Sequence, residues 1–238
     1  MTHIAHPYVQ RLGINRDWKS RWFAANPKQY REYLRTDNAI RAFLLKKLKG
    51  MSVDRFEIER DEKVLRILIK TARPGLIIGR SGEGATKLRK DIDMLLRTLK
   101  LTEKPEIKID IEEVRSVETS AAIVAQMVAE GLEKRMQFRR VMKQTIEKVM
   151  ANRDVQGVRI IISGRLGGAD MARREELKKG RIPLQTLRAD IDFARERATL
   201  PYGVIGVKAW IYRGDVFENR KSNQEENKTA PRRTNRTA

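Results

Sequence analysis

The chain has 238 residues, with 51 lysines and arginines against 31 acidic residues, a formal charge of +20. A surplus of this size repels itself in a compact fold and points to a polyanionic partner, nucleic acid rather than a membrane surface, because no basic amphipathic anchor stands apart from the globular pattern. The lack of cysteine excludes a disulfide framework and a thiolate metal site, and no run reaches the ~20 apolar residues of a membrane span. Met1 to Val9 also lack the apolar stretch of a signal peptide, so a cytoplasmic protein with no membrane partner is expected.

The length suits two domains with tails. Residues 1–26 mix basic and aromatic side chains (Tyr8, Arg11, Arg16, Trp18, Lys19, Arg21, Trp22, Phe23) without a clean period, which reads as an extended arm that orders only on a partner. Asn26-Pro27 looks like a cap and first-turn proline, and Ile40, Phe43, Leu44 and Leu48 recur at helical spacing until Gly50. Val53 to Ile58 and Val64 to Ile69 form a predicted hairpin around Asp61-Glu62. After Arg73-Pro74-Gly75 and a glycine-rich stretch comes a helix burying Leu88, Ile92, Leu95, Leu96 and Leu99, then a strand through Ile107, Ile109 and Ile111. Residues 27–114 therefore make one α+β domain.

Residues 115–217 make a second. Two amphipathic helices (Ser120 to Arg135 and Phe138 to Ala151) precede a strand from Gly157 to Ser163, a basic irregular stretch, and strands from Leu187 to Glu196 and Val204 to Tyr212. The expectation is helices packed on one sheet, again α+β. Residues 218–238 are polar and basic, the composition of a disordered tail.

The most specific local feature is Ile77-Ile78-Gly79-Arg80-Ser81-Gly82 between a strand and a helix. Paired glycines let backbone approach a ligand, Arg80 adds charge, and Ile77 and Ile78 could support unstacked bases, so the loop suits a clamp on a sugar-phosphate backbone. A nucleotide-binding loop of the Gly-x4-Gly-Lys-Ser/Thr type fails, because Ala85 follows Gly84. A tight turn into a helix is the plainer alternative.

Residues Ala39 to Val114, with Arg73 to Gly82 as signature, resemble a type II KH domain of the bacterial kind. His6-Pro7, Arg11-Leu12-Gly13-Ile14 and Arg16 to Trp22 resemble the start of the small-subunit ribosomal protein three family, as do Ser163 to Ala169, Leu187 to Asp192 and Tyr202 to Lys208 in their places. Three features depart from that family's pattern: Thr2-His3-Ile4, a loop with one basic residue where two are usual, and the tail after Phe217. The resemblance implies an N-terminal type II KH domain and a second α+β domain in a structural component of the small ribosomal subunit. Implied partners are small-subunit ribosomal RNA, messenger RNA, the neighbouring head proteins ten and fourteen, and proteins four and five at the messenger entrance.

From Lys134 to Arg153 there are seven basic residues and one acidic residue, Glu147. Phe138, Val141, Met142, Thr145 and Val149 form an apolar stripe, while Arg135, Arg139 and Lys143 lie four apart on another face with Arg140 beside it. A solvated helix face is the bland reading, yet so few acidic neighbours favour phosphate contact. The family resemblance implies that Arg139, Arg140 and Lys143 face the channel through which messenger RNA enters and help to open its hairpins. The arm cations Arg11, Arg16, Lys19 and Arg21, and a second basic group with Arg165, Arg173, Arg174, Lys178 and Lys179 beside Gly164, Gly167 and Gly168, are read as a docking surface for ribosomal RNA.

An enzyme reading has little support. His3 and His6 share the arm, but no cysteine or carboxylate cluster completes a metal site, and no nucleophile elbow is present. Asp190 and Asp192 are expected to be structural ion pairs. No catalytic residue, metal or cofactor is expected, and a free RNA-binding regulator carrying a KH domain is the alternative to a ribosomal component.

Overall fold

The computed structural model describes residues 5–61, 63–99 and 105–217. The tail at 218–238, His3 and the rest of residues 1–4 lie outside the described residues.

The first domain follows its apolar periods. Helix α2 (Pro27–Lys47) begins with proline at its first turn, and Asn26 sits in extended backbone before it without a side-chain capping bond. It buries Ile40 and Leu44, with Leu48 just after, and Gly50 adopts a left-handed conformation where the chain turns (φ 84°). Strands β2 (Val53–Arg60) and β3 (Val64–Thr71) pair antiparallel with Ile58 opposite Ile67, and β4 (Glu106–Glu113) runs parallel to β3. Between them lie the short helix α3 (Pro74–Ile78) and helix α4 (Glu83–Thr98), which buries Leu88, Ile92 and Leu96 at four-residue spacing. The α2 and α4 stripes meet Phe56, Ile58, Leu65, Ile67, Ile69 and Ile107 in one core.

In the second domain, α5 (Ala121–Glu133) starts at Ser120, whose Oγ accepts a hydrogen bond from the Ile123 amide. It packs with α6 (Phe138–Met150) over an antiparallel sheet in the order β6-β5-β8-β7. The strands are β5 (Gly157–Gly164), β6 (Arg173–Gly180), β7 (Ala189–Leu200) and β8 (Gly203–Asp215). Val158, Ile160 and Ile162 of β5 alternate inward against Val128, Leu132, Met142 and Val149 of the helices. The basic stretch expected to be irregular contains β6. It escaped a hydrophobic reading because Leu177 is its one large apolar residue, inserted among Arg173, Arg174, Glu175, Glu176, Lys178 and Lys179. Strand β7 likewise starts later than Leu187 and runs on to Leu200.

Residues 5–22 are not the extended arm expected from their aperiodic sequence. Pro7–Gln10 form a helical turn, α1, and Ser20–Arg21 form a short strand, β1, parallel to β2. Trp22 packs tilted against Tyr30 and edge-on against Tyr33, and its Nε1 donates to buried Asp37 at 2.8 Å. Asp37 also accepts from Ser20 Oγ and from Arg60. At the other end His6 meets Phe193 edge-on at 4.8 Å. The segment is therefore strapped across both domains, held by polar side chains whose partners lie far away in sequence. Trp18 alone among its tryptophans stays exposed.

Candidate nucleic-acid interface

In the first domain the glycine loop projects from the junction of α3 and α4. Gly79 (φ 72°), Ser81 (φ 53°) and Gly82 (φ 79°) all take positive φ, which turns the chain sharply and leaves Arg80 and Ser81 exposed. Gly84 holds the turn closed from below: a Cβ there would lie 2.4 Å from the Ile77 carbonyl oxygen. Sequence reasoning missed Gly84, since only the packed geometry reveals how near α3 comes to α4. Ile77, expected to support a base, is instead a core residue, 4% exposed, because it faces the sheet from α3. The exposed apolar neighbours of the loop are Ile78 and Leu76, 38% and 56% exposed.

In the second domain, α6 divides as its sequence pattern predicts. Val141, Met142, Thr145, Ile146 and Val149 are buried, and Phe138 packs against their cluster. Arg139, Arg140 and Lys143 are exposed on the other side. Arg139 reaches Glu175 at 3.3 Å across to β6, a surface pair worth little. Neither Arg140 nor Lys143 meets a carboxylate among the described residues. Arg135 does not continue this helical row, because α5 has ended before it and its backbone turns left-handed (φ 59°). Gln137 supplies no side-chain cap to α6, and no acidic residue occupies the first turn.

The sheet of the second domain presents a further basic face that the linear sequence hides. Register places Arg174 beside Ser163 and sets Glu176, Ile161, Lys208 and Arg195 in a row across four strands. Side chains of that face alternate with the inward ones, so Arg159, Lys178 and Arg197 join it. Arg174 pairs with Glu176, and Arg159 also donates to Glu176, holding that carboxyl below its ordinary range. Lys178, Lys208, Arg195 and Arg197 have no carboxylate partner among the described residues. His6 and Pro7 roof a small pocket on this face beside Phe193 and Trp210.

Several expected RNA contacts are occupied internally. Arg11 is fully buried; its guanidinium donates to the carbonyls of Ala189 (2.7 Å), Thr186 (2.8 Å), Leu184 and Pro7 (each 3.0 Å). It is a strap anchor and is withdrawn as an RNA contact. Arg16, whose side chain is 10% exposed, pairs with Asp190 at 2.7 Å, and Arg213 reaches the same carboxylate, so Asp190 is an ion-pair centre. Arg21 pairs with Asp17 and Glu59 on the surface. Arg165 closes its own loop, donating to Ala169 O and Tyr202 O and meeting Asp170. Lys19, Arg173, Lys178 and Lys179 remain exposed.

Residues 39–119 match the family profile of the KH domain, and residues 128–211 match that of the ribosomal protein S3 C-terminal domain. Over 225 residues the chain is 46% identical to the small ribosomal subunit protein uS3 of Caldicellulosiruptor bescii, covering 94% of this chain and 98% of that one. It is also 46% identical over 228 residues to its counterpart from Alcanivorax borkumensis, covering 96% and 95% of the two chains. With the protein of the same name from Caulobacter vibrioides it shares 47% identity over 219 residues, 92% of this chain and 84% of the other.

Proposed function

This chain belongs to the family of small ribosomal subunit protein uS3, and on that premise we propose that it is a structural component of the small ribosomal subunit that binds both ribosomal and messenger RNA. The basic sheet face of the second domain, with Arg174 and Lys178, docks on ribosomal RNA, and Lys19, Arg173 and Lys179 add contacts at its margins. The loop Gly79, Arg80, Ser81 and Gly82 clamps an RNA backbone with Ile78 as its apolar support. Arg139, Arg140 and Lys143 line the entrance for messenger RNA, grip the incoming strand and help to part its hairpins. Neighbouring proteins of the head and of the entrance complete the setting. The role is binding and positioning, driven by motion of the ribosome, with no reaction carried out by this chain.

The observation that carries the messenger role is the α6 face: exposed cations, two of them without an acidic partner among the described residues, opposite a fully used core stripe. Such cations remain available to exchange counterions for phosphates. Replacing Arg139, Arg140 and Lys143 together by alanine leaves the core intact, since exposed changes of this kind shift stability by about 0.5 kcal/mol or less. Reconstituted small subunits carrying the variant should assemble, read unstructured messenger at nearly the normal rate, and slow several-fold at a stable hairpin placed ahead of the entrance. Equal slowing on both messages, or none on either, would contradict the role.

A further inference from the structure

Where the α5–α6 connection, the loop before β6 and the β7–β8 hairpin converge, the second domain has a cavity of about 660 Å3. Its floor is apolar and aromatic: Leu132 is buried in the core, while Phe138 and Tyr202 are half-buried and present part of their rings. Three exposed arginines, Arg135, Arg139 and Arg173, stand around it, and among the described residues no carboxylate lines it. The guanidinium groups of Arg139 and Arg173 each lie 5.6 Å from the centre of the Phe138 ring. By contrast, the two pockets between the domains carry Glu130, and the pocket beneath the strap is only about 170 Å3, below the usual range for a nucleotide-sized ligand.

An aromatic floor with three arginines at its rim, one of them also paired with Glu175 on the surface, matches one ligand chemistry, a flat apolar ring attached to phosphate. We propose that this cavity holds one unstacked base of single-stranded RNA, with the base against Phe138 and Tyr202 and the flanking phosphates on Arg135, Arg139 and Arg173. A duplex cannot use it, because its bases stay stacked inside the helix and expose their phosphates alone. Arg139 belongs both to this rim and to the α6 row, so the inference rests on the reading of that row as a messenger contact and gives it a capture point. A base seated here is withheld from re-pairing, which makes each opened pair harder to close.

The test uses the free full-length chain and RNA oligomers carrying 4-thiouridine at a single position. Irradiation of the single-stranded oligomer should crosslink to Met136, Phe138 or Tyr202, and the same oligomer annealed to its complement should lose that crosslink. A double change, Phe138→Leu with Tyr202→Leu, keeps apolar volume but removes both rings. It should weaken binding of the intact single strand by about tenfold, the loss of one base–aromatic stack, while leaving a base-free oligomer unaffected. Crosslinks confined to the glycine loop or the sheet face, or equal crosslinking in the duplex, would overturn the proposal. The outcome separates from the hairpin experiment: a crosslink without hairpin slowing sinks the messenger role alone, and hairpin slowing without a crosslink sinks the base site alone.

Discussion

The two domains each lay helices on one face of a four-stranded sheet and turn the other face outward, yet those outer faces differ in charge. On the first sheet Arg21, Arg55, Arg66, Lys70 and Lys108 share the face with Glu57, Glu59, Glu106, Asp110 and Glu112, five cations with five anions. Arg66 meets Asp110 at 2.5 Å, Lys70 lies 3.5 Å from Glu57 and 3.4 Å from Glu112, and Arg55 lies 3.0 Å from Glu57. On the second sheet Arg159, Arg174, Lys178, Lys208, Arg195 and Arg197 share Glu176 as the one acidic residue at these register positions. The net charge of +20 is thus unevenly placed. On the function proposed above, the first domain would meet RNA with a loop and the second with surfaces.

The largest effect on this contrast comes from disabling the loop alone. Gly84→Ala forces a Cβ against the Ile77 carbonyl and should destabilise the first domain by about 3 kcal/mol, whereas Gly82→Ala, with open space around it, should cost about 1 kcal/mol through its positive φ. Thermal unfolding followed by calorimetry checks the ranking, and equal costs would mean that the α3–α4 approach is looser than the structure has it.

Next comes the link between the halves. Arg11→Met removes a buried guanidinium from five carbonyls and should cost about 2 kcal/mol while raising amide exchange in residues 7–16. The Trp22–Asp37 bond at the far end should persist, since it rests on the first domain. Unchanged exchange near α1 would show that the strap is held elsewhere.

A smaller effect is set by pH. Burial first, then the charges of Arg195 and Lys19, push the His6 imidazole below its ordinary value of 6.5. The undocked strap therefore binds the proton more readily, so docking is fully favoured above about pH 6.5 and weakens as pH falls through that value towards the depressed one. Protection of the amides of residues 5–10, relative to their intrinsic exchange rates, should fall as pH drops from about 7.5 to about 5.5, and His6→Phe should flatten the profile. A profile identical in the variant would remove His6 from the docking.

Both domains and most of their elements were legible because apolar residues recur at four-residue spacing in α4 and α6 and alternate in β3, β4 and β5. The exposed row on α6 was legible for the same reason. Strand β6 was not, since an edge strand with Leu177 as its one large apolar residue lacks a hydrophobic alternation. The strap was misread because Arg11, Arg16 and Trp22 are fixed by Ala189, Asp190 and Asp37, partners 178, 174 and 15 residues away that no local pattern announces. The basic sheet face was invisible for a related reason: Lys208 and Arg195 become neighbours only through the β7–β8 register.

The central claim, that RNA is held by the unpaired cations of the second domain and not by the outer sheet face of the first, is open to lysine-reactivity footprinting. Acetylation of each lysine is compared between the free chain and the assembled small subunit. The ratio should fall several-fold at Lys143, Lys178 and Lys208 and stay near one at Lys70 and Lys108. Protection of Lys70 and Lys108, with Lys143, Lys178 and Lys208 as reactive in the subunit as in the free chain, would contradict the account.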